Sequence, residues 1–470
     1  MDNTPSSKDI ISNLNADVES LIEEIQQIRL SPVITCNAET LEKLEREIHQ
    51  KTARLADLIS GIKLQETLSS QRLDQDEQAL LKLYPQKMKN MGRRTLLIRL
   101  LGGTQVLCSV PYYHQKSNLK KMQKKKGFYP RLSLLGIHDR CTPALSSLLS
   151  LFATAACSLE ESQRLLETLY RFNLDIKTIR MVCKRFSLRA RICFKAGSVP
   201  LAEEFKGKRV VVSTDGGRVR TRVNQRGKKT RKNRSRYKTD WREPKLILAY
   251  VVNENGEKDR KISPLMDASL EGPDATFAML LYYLKKLGVG QADQLLFVSD
   301  GAPWIWDRVA DLIQQLGIKV QNCLMALDFY HAVEHLSSIA DQKKWKSAEK
   351  KKWVNKQRRR LLKGKLDIFI EEIECVCKNL KNNLLIRERD YFRNHLPHMR
   401  YKEIKDQKLP IGSGGVESGI RRVINLRLKG PGIFWHEEMV DAMLLLRSYY
   451  KAGRWNLLEN MAVNGGLIVN

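Results

Sequence analysis

Val211-Val212-Ser213-Thr214-Asp215-Gly216-Gly217 is the stretch on which the reading of this chain turns. From Arg209 to Thr214 it is a continuous run of apolar and β-branched residues, the pattern of a strand buried on both faces. The run stops at a carboxylate followed by two glycines. Phe297-Val298-Ser299-Asp300-Gly301-Ala302 repeats the arrangement. A third carboxylate sits in Gly412-Ser413-Gly414-Gly415-Val416-Glu417-Ser418, which reads as a glycine loop opening a helix. Taken singly, an Asp-Gly pair is a turn and a Glu near a helix start complements the helix dipole. Three such acids in a chain of net charge +30 point instead to divalent metal held against a phosphodiester.

The balance of 82 Lys and Arg against 52 Asp and Glu fits a polyanion partner, most simply nucleic acid. No apolar run reaches the roughly 18 residues of a membrane span, and residues 1–15 lack a secretory signal. A cytoplasmic protein is expected. The nine cysteines are scattered and read as reduced thiols.

The pattern divides the chain. Residues 1–83 are polar and helical, with Leu41, Leu44, Ile48, Leu55, Leu58, Ile59 and Ile62 at helical spacing, which suggests a helical hairpin or short coiled coil. Residues 84–135 read as a basic β-hairpin region around Gly102-Gly103, followed by Lys120, Lys121, Lys124, Lys125 and Lys126. Residues 136–200 read as helical and helix-turn-helix-like, the last helix carrying Lys177, Arg180, Lys184, Arg185 and Arg189. Residues 201–339 and 406–455 are the α/β part, interrupted by an all-helical basic insertion at 340–405, and 456–470 read as a tail.

Within the α/β part, Arg209 to Thr214 is the first strand, Arg218 to Asn224 its expected antiparallel partner and Lys245 to Val252 the third. A helix, the strand Gln294 to Ser299, another helix and the strand Ile318 to Leu327 follow. Three antiparallel strands and then alternating α/β is the order of a ribonuclease-H-like fold, here a multidomain α+β chain. Right-handed crossovers would put Asp215 and Asp300 at one sheet edge.

The combined motifs STDGG (213–217), VSDGAPWIW (298–306), LDFYHAVEH (327–335) and GSGGVESGIRR…LRLKGPGIFW (412–435) resemble the DDE transposases of bacterial insertion sequences, close to the Mutator-like group. The resemblance spans roughly residues 90–455. It implies a ribonuclease-H-like catalytic domain and two Mg²⁺ (or Mn²⁺) ions held by Asp215, Asp300 and Glu417, which would be the catalytic acids. The spacings agree: Asp300 lies 85 residues beyond Asp215, and Glu417 lies 117 beyond Asp300, with room for the helical insertion. Asp328 and His331 resemble the family's Cys/Asp-x-x-His element and are expected to be auxiliary.

The implied activity is binding of terminal inverted repeats, hydrolysis of a phosphodiester by metal-activated water, and attack of the freed 3′-hydroxyl on target DNA. Double-stranded DNA, both element ends and target, is the expected partner, with a homodimer or larger assembly holding two ends. Expected DNA contacts are Arg226, Lys228, Lys229, Arg231, Lys232 and Arg234 in one basic loop, then Arg421, Arg422, Lys429 and Trp435. Trp304 and Trp306 are either core or base-stacking residues. A ribonuclease-H-like nuclease without strand transfer and a non-catalytic DNA-binding protein are the alternatives.

Overall fold

The computed structural model describes residues 5–32, 37–84, 87–115, 127–231, 233, 235–343, 345–378 and 383–468; the lysine run at 120–126, Lys232 and Arg234 lie outside these residues. The chain separates into two compact units, Met1–Val199 with Leu458–Asn470, and Pro200–Leu457. No described helix is long and apolar enough to cross a membrane.

The first unit begins with α1 (Ser7–Leu30), α2 (Ala38–Leu68) and α3 (Gln71–Lys82). Capping boxes open the first two: Ser6 with Asp9, and Asn37 with Thr40. The pairing of Glu24 with Lys51, and of Ser7 with Gln65, makes α1 and α2 antiparallel. Ile10, Leu14, Leu21, Leu58 and Leu68 bury against Ile98, Val106 and Val110 of the hairpin β1 (Met88–Arg99) and β2 (Gln105–Gln115). The Gly102-Gly103 turn is fixed by the buried Asp57 carboxylate, which accepts from the amides of Gly102 and Thr104 at 3.0 Å each.

After the short α4 (Pro130–Leu134) come α5 (Pro143–Ala155), α6 (Leu159–Tyr170) and α7 (Ile176–Lys195). Ser158 caps α6 by accepting from the Glu161 amide at 2.9 Å. On α7, Lys177, Arg180 and Arg185 are exposed, whereas Arg189 is buried. The stretch expected to be a tail is largely helical, because Leu458, Met461 and Ala462 are apolar residues at helical spacing and are buried.

The second unit is built on a five-stranded mixed sheet. Its strands are β3 (Arg209–Gly216), β6 (Lys245–Val252), β7 (Leu265–Ser269), β8 (Gln294–Ser299) and β9 (Cys323–Leu327), in spatial order β7-β6-β3-β8-β9. β6 is antiparallel to both β3 and β7; β8 and β9 run parallel to β3. The expected partner of β3 is therefore corrected. Residues Val219–Asn224 form β4, which pairs with β5 (Tyr237–Arg242) in a separate two-stranded sheet.

The physical reason is on the strands themselves. Arg218, just before β4, and Arg220 and Arg222 on it recur at every second position, so one face must stay in water. From Leu246 to Val252, β6 carries no charge and can enter the doubly covered sheet beside β3. The third strand is the short Leu265–Ser269, and β9 is shorter than expected because Val320–Asn322 makes a 3-10 turn.

α8 (Pro273–Lys286) and α9 (Pro303–Leu316) are the crossover helices before β8 and β9. α10 (Phe329–Gln342), α11 (Ser347–Leu362), α12 (Leu366–Val376), α13 (Asn383–His395) and α14 (Tyr401–Asp406) follow. They enclose their own core around Leu336, Trp353, Leu361, Phe369, Phe392 and Tyr401. The chain then returns to the sheet through α15 (Gly414–Ile420), a π-helical turn at Arg421–Asn425, α16 (Leu426–Leu428) and α17 (Glu437–Ala452), and ends in α18 (Trp455–Ile468).

α15 lies close on β6 because glycines face it. A Cβ at Gly419 would come 2.6 Å from Leu246 Cδ2, and one at Gly415 would come 3.1 Å from Leu248 Cδ2. Gly419→Val should therefore lower unfolding free energy by about 1–3 kcal/mol through overpacking. Gly414→Ala, where a Cβ meets nothing within 4 Å, should be neutral or mildly stabilising. Urea denaturation of both variants measures the difference; equal midpoints would contradict close glycine packing.

Candidate metal-binding and catalytic site

The parallel register sets the site. Val212 is level with Phe297, and Ser299 is level with Leu327. Carried to the strand ends, these offsets align Asp215, Asp300 and Asp328 in one row across three neighbouring strands. Side chains alternate along a strand, so this row belongs to the face that also carries Val211, Leu296 and Leu324. Gly415 and Gly419 of α15 approach the same face, at Leu248 and Leu246. Beyond Val212 the β3–β8 pairing gives way to side-chain bridges: Ser213 Oγ donates to the Val298 carbonyl at 2.6 Å and Ser299 Oγ to the Thr214 carbonyl at 2.5 Å. In open α/β sheets, ligands bind outside the carboxyl ends of the strands, where these acids lie.

Asp215 is half-buried, and its Oδ1 accepts from the Gly216 amide at 2.6 Å. Burial, followed by repulsion from Asp300, pushes its carboxyl up to about 6; Glu417 pushes the same way, while the Gly216 hydrogen bond and His331 oppose them. Asp300 follows β8 directly. Its Oδ1 accepts from the Ala302 amide at 3.1 Å, forming the turn into α9, and its carbonyl accepts from Trp306 Nε1 at 2.6 Å. Glu417 stands exposed in the first turn of α15, where Ser413 Oγ donates to its Oε1 at 3.4 Å. Asp215, Asp300 and Glu417 thus share one electrostatic neighbourhood. Among the described residues, no three His, Cys, Asp or Glu side chains are drawn together into a ready metal cluster.

Asp328 shares the row but not the exposure, being fully buried. Its Oδ1 caps α10 by accepting from the His331 amide at 2.8 Å. Its Oδ2 accepts from both the amide and the hydroxyl of Ser413, the latter at 2.6 Å. The Phe329 amide donates to the Ile411 carbonyl at 3.0 Å beside it. Asp328 therefore fastens the start of the helical insertion to the glycine loop that launches Glu417. Ser413 was not singled out in the sequence; its signal is a hydroxyl between two glycines at the helix cap.

His331 is close enough to lower the carboxyl of Asp215. Its Nε2 lies 3.3 Å from His335 Nε2, and His335 Nδ1 is hydrogen-bonded to the buried Glu388. Tyr391 stacks on His335 at 3.7 Å. A Cβ at Gly301 would come 2.2 Å from Tyr391 Cε2, so that glycine makes room for a ring of the insertion. Gly217 likewise admits Ile424. Side chains thus fill the space beside Gly217, Gly301 and Gly415, whereas the space beside Gly414 is open.

The expected DNA contacts are spread. Arg226, Lys228, Lys229 and Arg231 are exposed at the tip of the β4–β5 hairpin. Arg421 and Lys429 are exposed; Arg422 is partly buried, with its Nε donating to the Ser418 carbonyl at 3.3 Å. Trp435 is structural. Its amide donates to the Arg220 carbonyl at 3.2 Å, its carbonyl accepts from the Arg222 amide at 2.8 Å, and Arg427 lies over its ring at 5.0 Å. Trp304 packs edge-on to Phe277, and Trp306 stacks on His398 at 4.2 Å, so both are packing residues.

Asp215 generates a stability prediction. A carboxyl whose pKa is raised on folding contributes stability fully present below its unfolded value near 4, and lost as pH rises through about 6. Asp215→Asn should therefore stabilise chelator-treated protein at pH 8, by on the order of 1–2 kcal/mol, and much less at pH 4.5. Calorimetric melting at the two pH values reads this out; an equal shift at both would contradict it.

No protein-family profile matches the chain, and no curated protein matches it significantly.

Proposed function

We propose that the chain is a metal-dependent DNA transposase whose second unit is a ribonuclease-H-like catalytic domain. The observation that carries the reading is the strand register, which aligns Asp215 with Asp300; α15, packed on β6, sets Glu417 near enough to Asp215 to repel its charge. The sheet order β7-β6-β3-β8-β9, with three antiparallel strands followed by two parallel ones, supports the fold. The helical insertion between β9 and α15 supports the assignment of Glu417 as the third acid.

The donor set fits hard divalent cations. Asp215, Asp300 and Glu417 offer only oxygens, and Asp215 carries an unfavourable negative charge that a cation would relieve. These three would hold Mg²⁺ or Mn²⁺, which when bound supplies Lewis acidity toward the phosphodiester and the attacking hydroxyl. Asp328 and Ser413 position Glu417 through the α15 cap. The exposed cations of the β4–β5 tip, with Arg421 and Lys429, provide a phosphate-binding surface. Hydrolysis and strand transfer are both in-line displacements at phosphorus, so one site serves both, and joining two element ends calls for at least two copies of the chain.

The decisive experiment incubates the protein with labelled terminal-repeat DNA, Mg²⁺ or Mn²⁺ and a plasmid target. Joined products are expected. Nicking without joining would make the protein a nuclease, and binding alone, unchanged in Asp215→Ala, would make it a non-catalytic DNA-binding protein. Replacing Asp215, Asp300 or Glu417 by Ala should cut cleavage on the order of 10³-fold or more while DNA affinity changes less than about threefold. Because protons compete with the cation at Asp215, the Mg²⁺ concentration for half-maximal cleavage should climb as pH falls below about 6. A Mg²⁺ requirement independent of pH across that range would contradict this.

A further inference from the structure

The β4–β5 hairpin carries a surface that the acids do not explain. Its register places Arg220 opposite Trp241 and Asn224 opposite Tyr237. Arg218, Arg220, Arg222, Tyr237 and Trp241 therefore share one face, because side chains alternate along each strand. The other face is partly buried through Val219 and Thr221. Three guanidinium-bearing residues at successive i, i+2 positions lie about 7 Å apart along the strand.

These cations are arranged with rings rather than carboxylates. Arg218 and Arg220 lie 5.4 and 5.1 Å from the Trp241 ring centre, and Arg220 also lies 5.3 Å from that of Phe434. Arg222 lies 5.5 Å from that of Tyr237. Trp241 is 50 % and Tyr237 41 % exposed, unusual for large rings flanked by charge. Among the described residues none of the three arginines is paired with a carboxylate: Asp240 faces the other side, and Glu437 binds Arg242 there.

The surface is also tied to the candidate site at both roots. β4 begins four residues beyond Asp215. The strand's backbone pairs with Trp435, in the segment after the Glu417 helix. Exposed rings interleaved with unpaired arginines are the chemistry of single-strand recognition, since every base offers a π-face and every nucleotide a phosphate. A duplex, with its bases already stacked, offers phosphates alone to such a surface.

Resting on the reading of the chain as a DNA-processing enzyme, we propose that this hairpin face binds unpaired nucleotides of a DNA end. Trp241 stacks a base, and Arg218, Arg220 and Arg222 hold the adjoining phosphates. The test is fluorescence anisotropy with the full chain in EDTA. It compares a blunt duplex with the same duplex bearing a four-nucleotide unpaired 3′ or 5′ extension.

The wild type should prefer an extended DNA. Trp241→Ala should reduce affinity for that DNA by roughly 5- to 150-fold and leave blunt-duplex affinity unchanged. Trp241→Phe should retain most of the preference, and Arg220→Ala should lower the salt slope on extended DNA by about 0.7. No preference in the wild type, or equal losses on both DNAs in Trp241→Ala, overturns the proposal. Should Trp241→Ala fail to fold, Trp241→Phe and Arg220→Ala decide it: a retained preference with a reduced slope supports the proposal, and an unchanged slope sinks it. Binding in EDTA is read independently of cleavage, so failure here leaves the acid assignment standing, and failure to cleave leaves this surface standing.

Discussion

The structure of the second unit depends on one constraint, the parallel pairing of β3, β8 and β9 in a fixed register. A slip of one residue on any of these strands would turn its terminal carboxylate to the opposite face. That slip is opposed because Val210, Val211, Val212, Leu296 and Phe297 are all buried and the sheet is covered on both sides. The hydroxyls of Ser213 and Ser299 add lateral ties where the backbone ladder ends. Packing deep in the sheet thereby decides which carboxylates meet at its edge, and their mutual repulsion is the electrostatic cost of that placement.

The third acid is placed by a different device. Glu417 is exposed and has no strand to hold it, so its position is that of α15 as a whole. Two glycines let that helix sit against Leu246 and Leu248, and the buried carboxylate of Asp328 grips Ser413 at its start. The π-helical turn at Arg421–Asn425 follows at once, a kind of distortion often found at functional sites. Two of the carboxylates are thus placed by strand register and the third by the packing and capping of a helix.

Much of this was legible in the sequence. The continuous apolar runs before Asp215 and Asp300 announced buried parallel strands, and the Gly-rich loop announced α15. Periodicity alone misassigned the second strand, because Arg218 to Asn224 alternates as an edge hairpin does; its arginines at every second position were the warning. Leu265–Ser269 escaped notice since five residues around the buried Asp267 give little periodic signal. The links from Asp328 to Ser413 and from His335 to Glu388 span 85 and 53 residues, distances over which composition and spacing carry no information. That Gly301 and Gly217 make room for Tyr391 and Ile424 is likewise visible only once those distant side chains are in place.

The clasp between Asp328 and Ser413 has a consequence for how such a chain tolerates change. Some 85 residues leave the sheet and return within a hydrogen bond of where they departed. The helices between are held by their own core of Trp353, Phe369, Phe392 and Tyr401. Loop-closure entropy grows only with the logarithm of length. The excursion is thus a cassette with a fixed socket: its outer helices can grow or shrink at little entropic cost, provided the clasp and the contacts of Tyr391 at Gly301 and of His398 on Trp306 are kept.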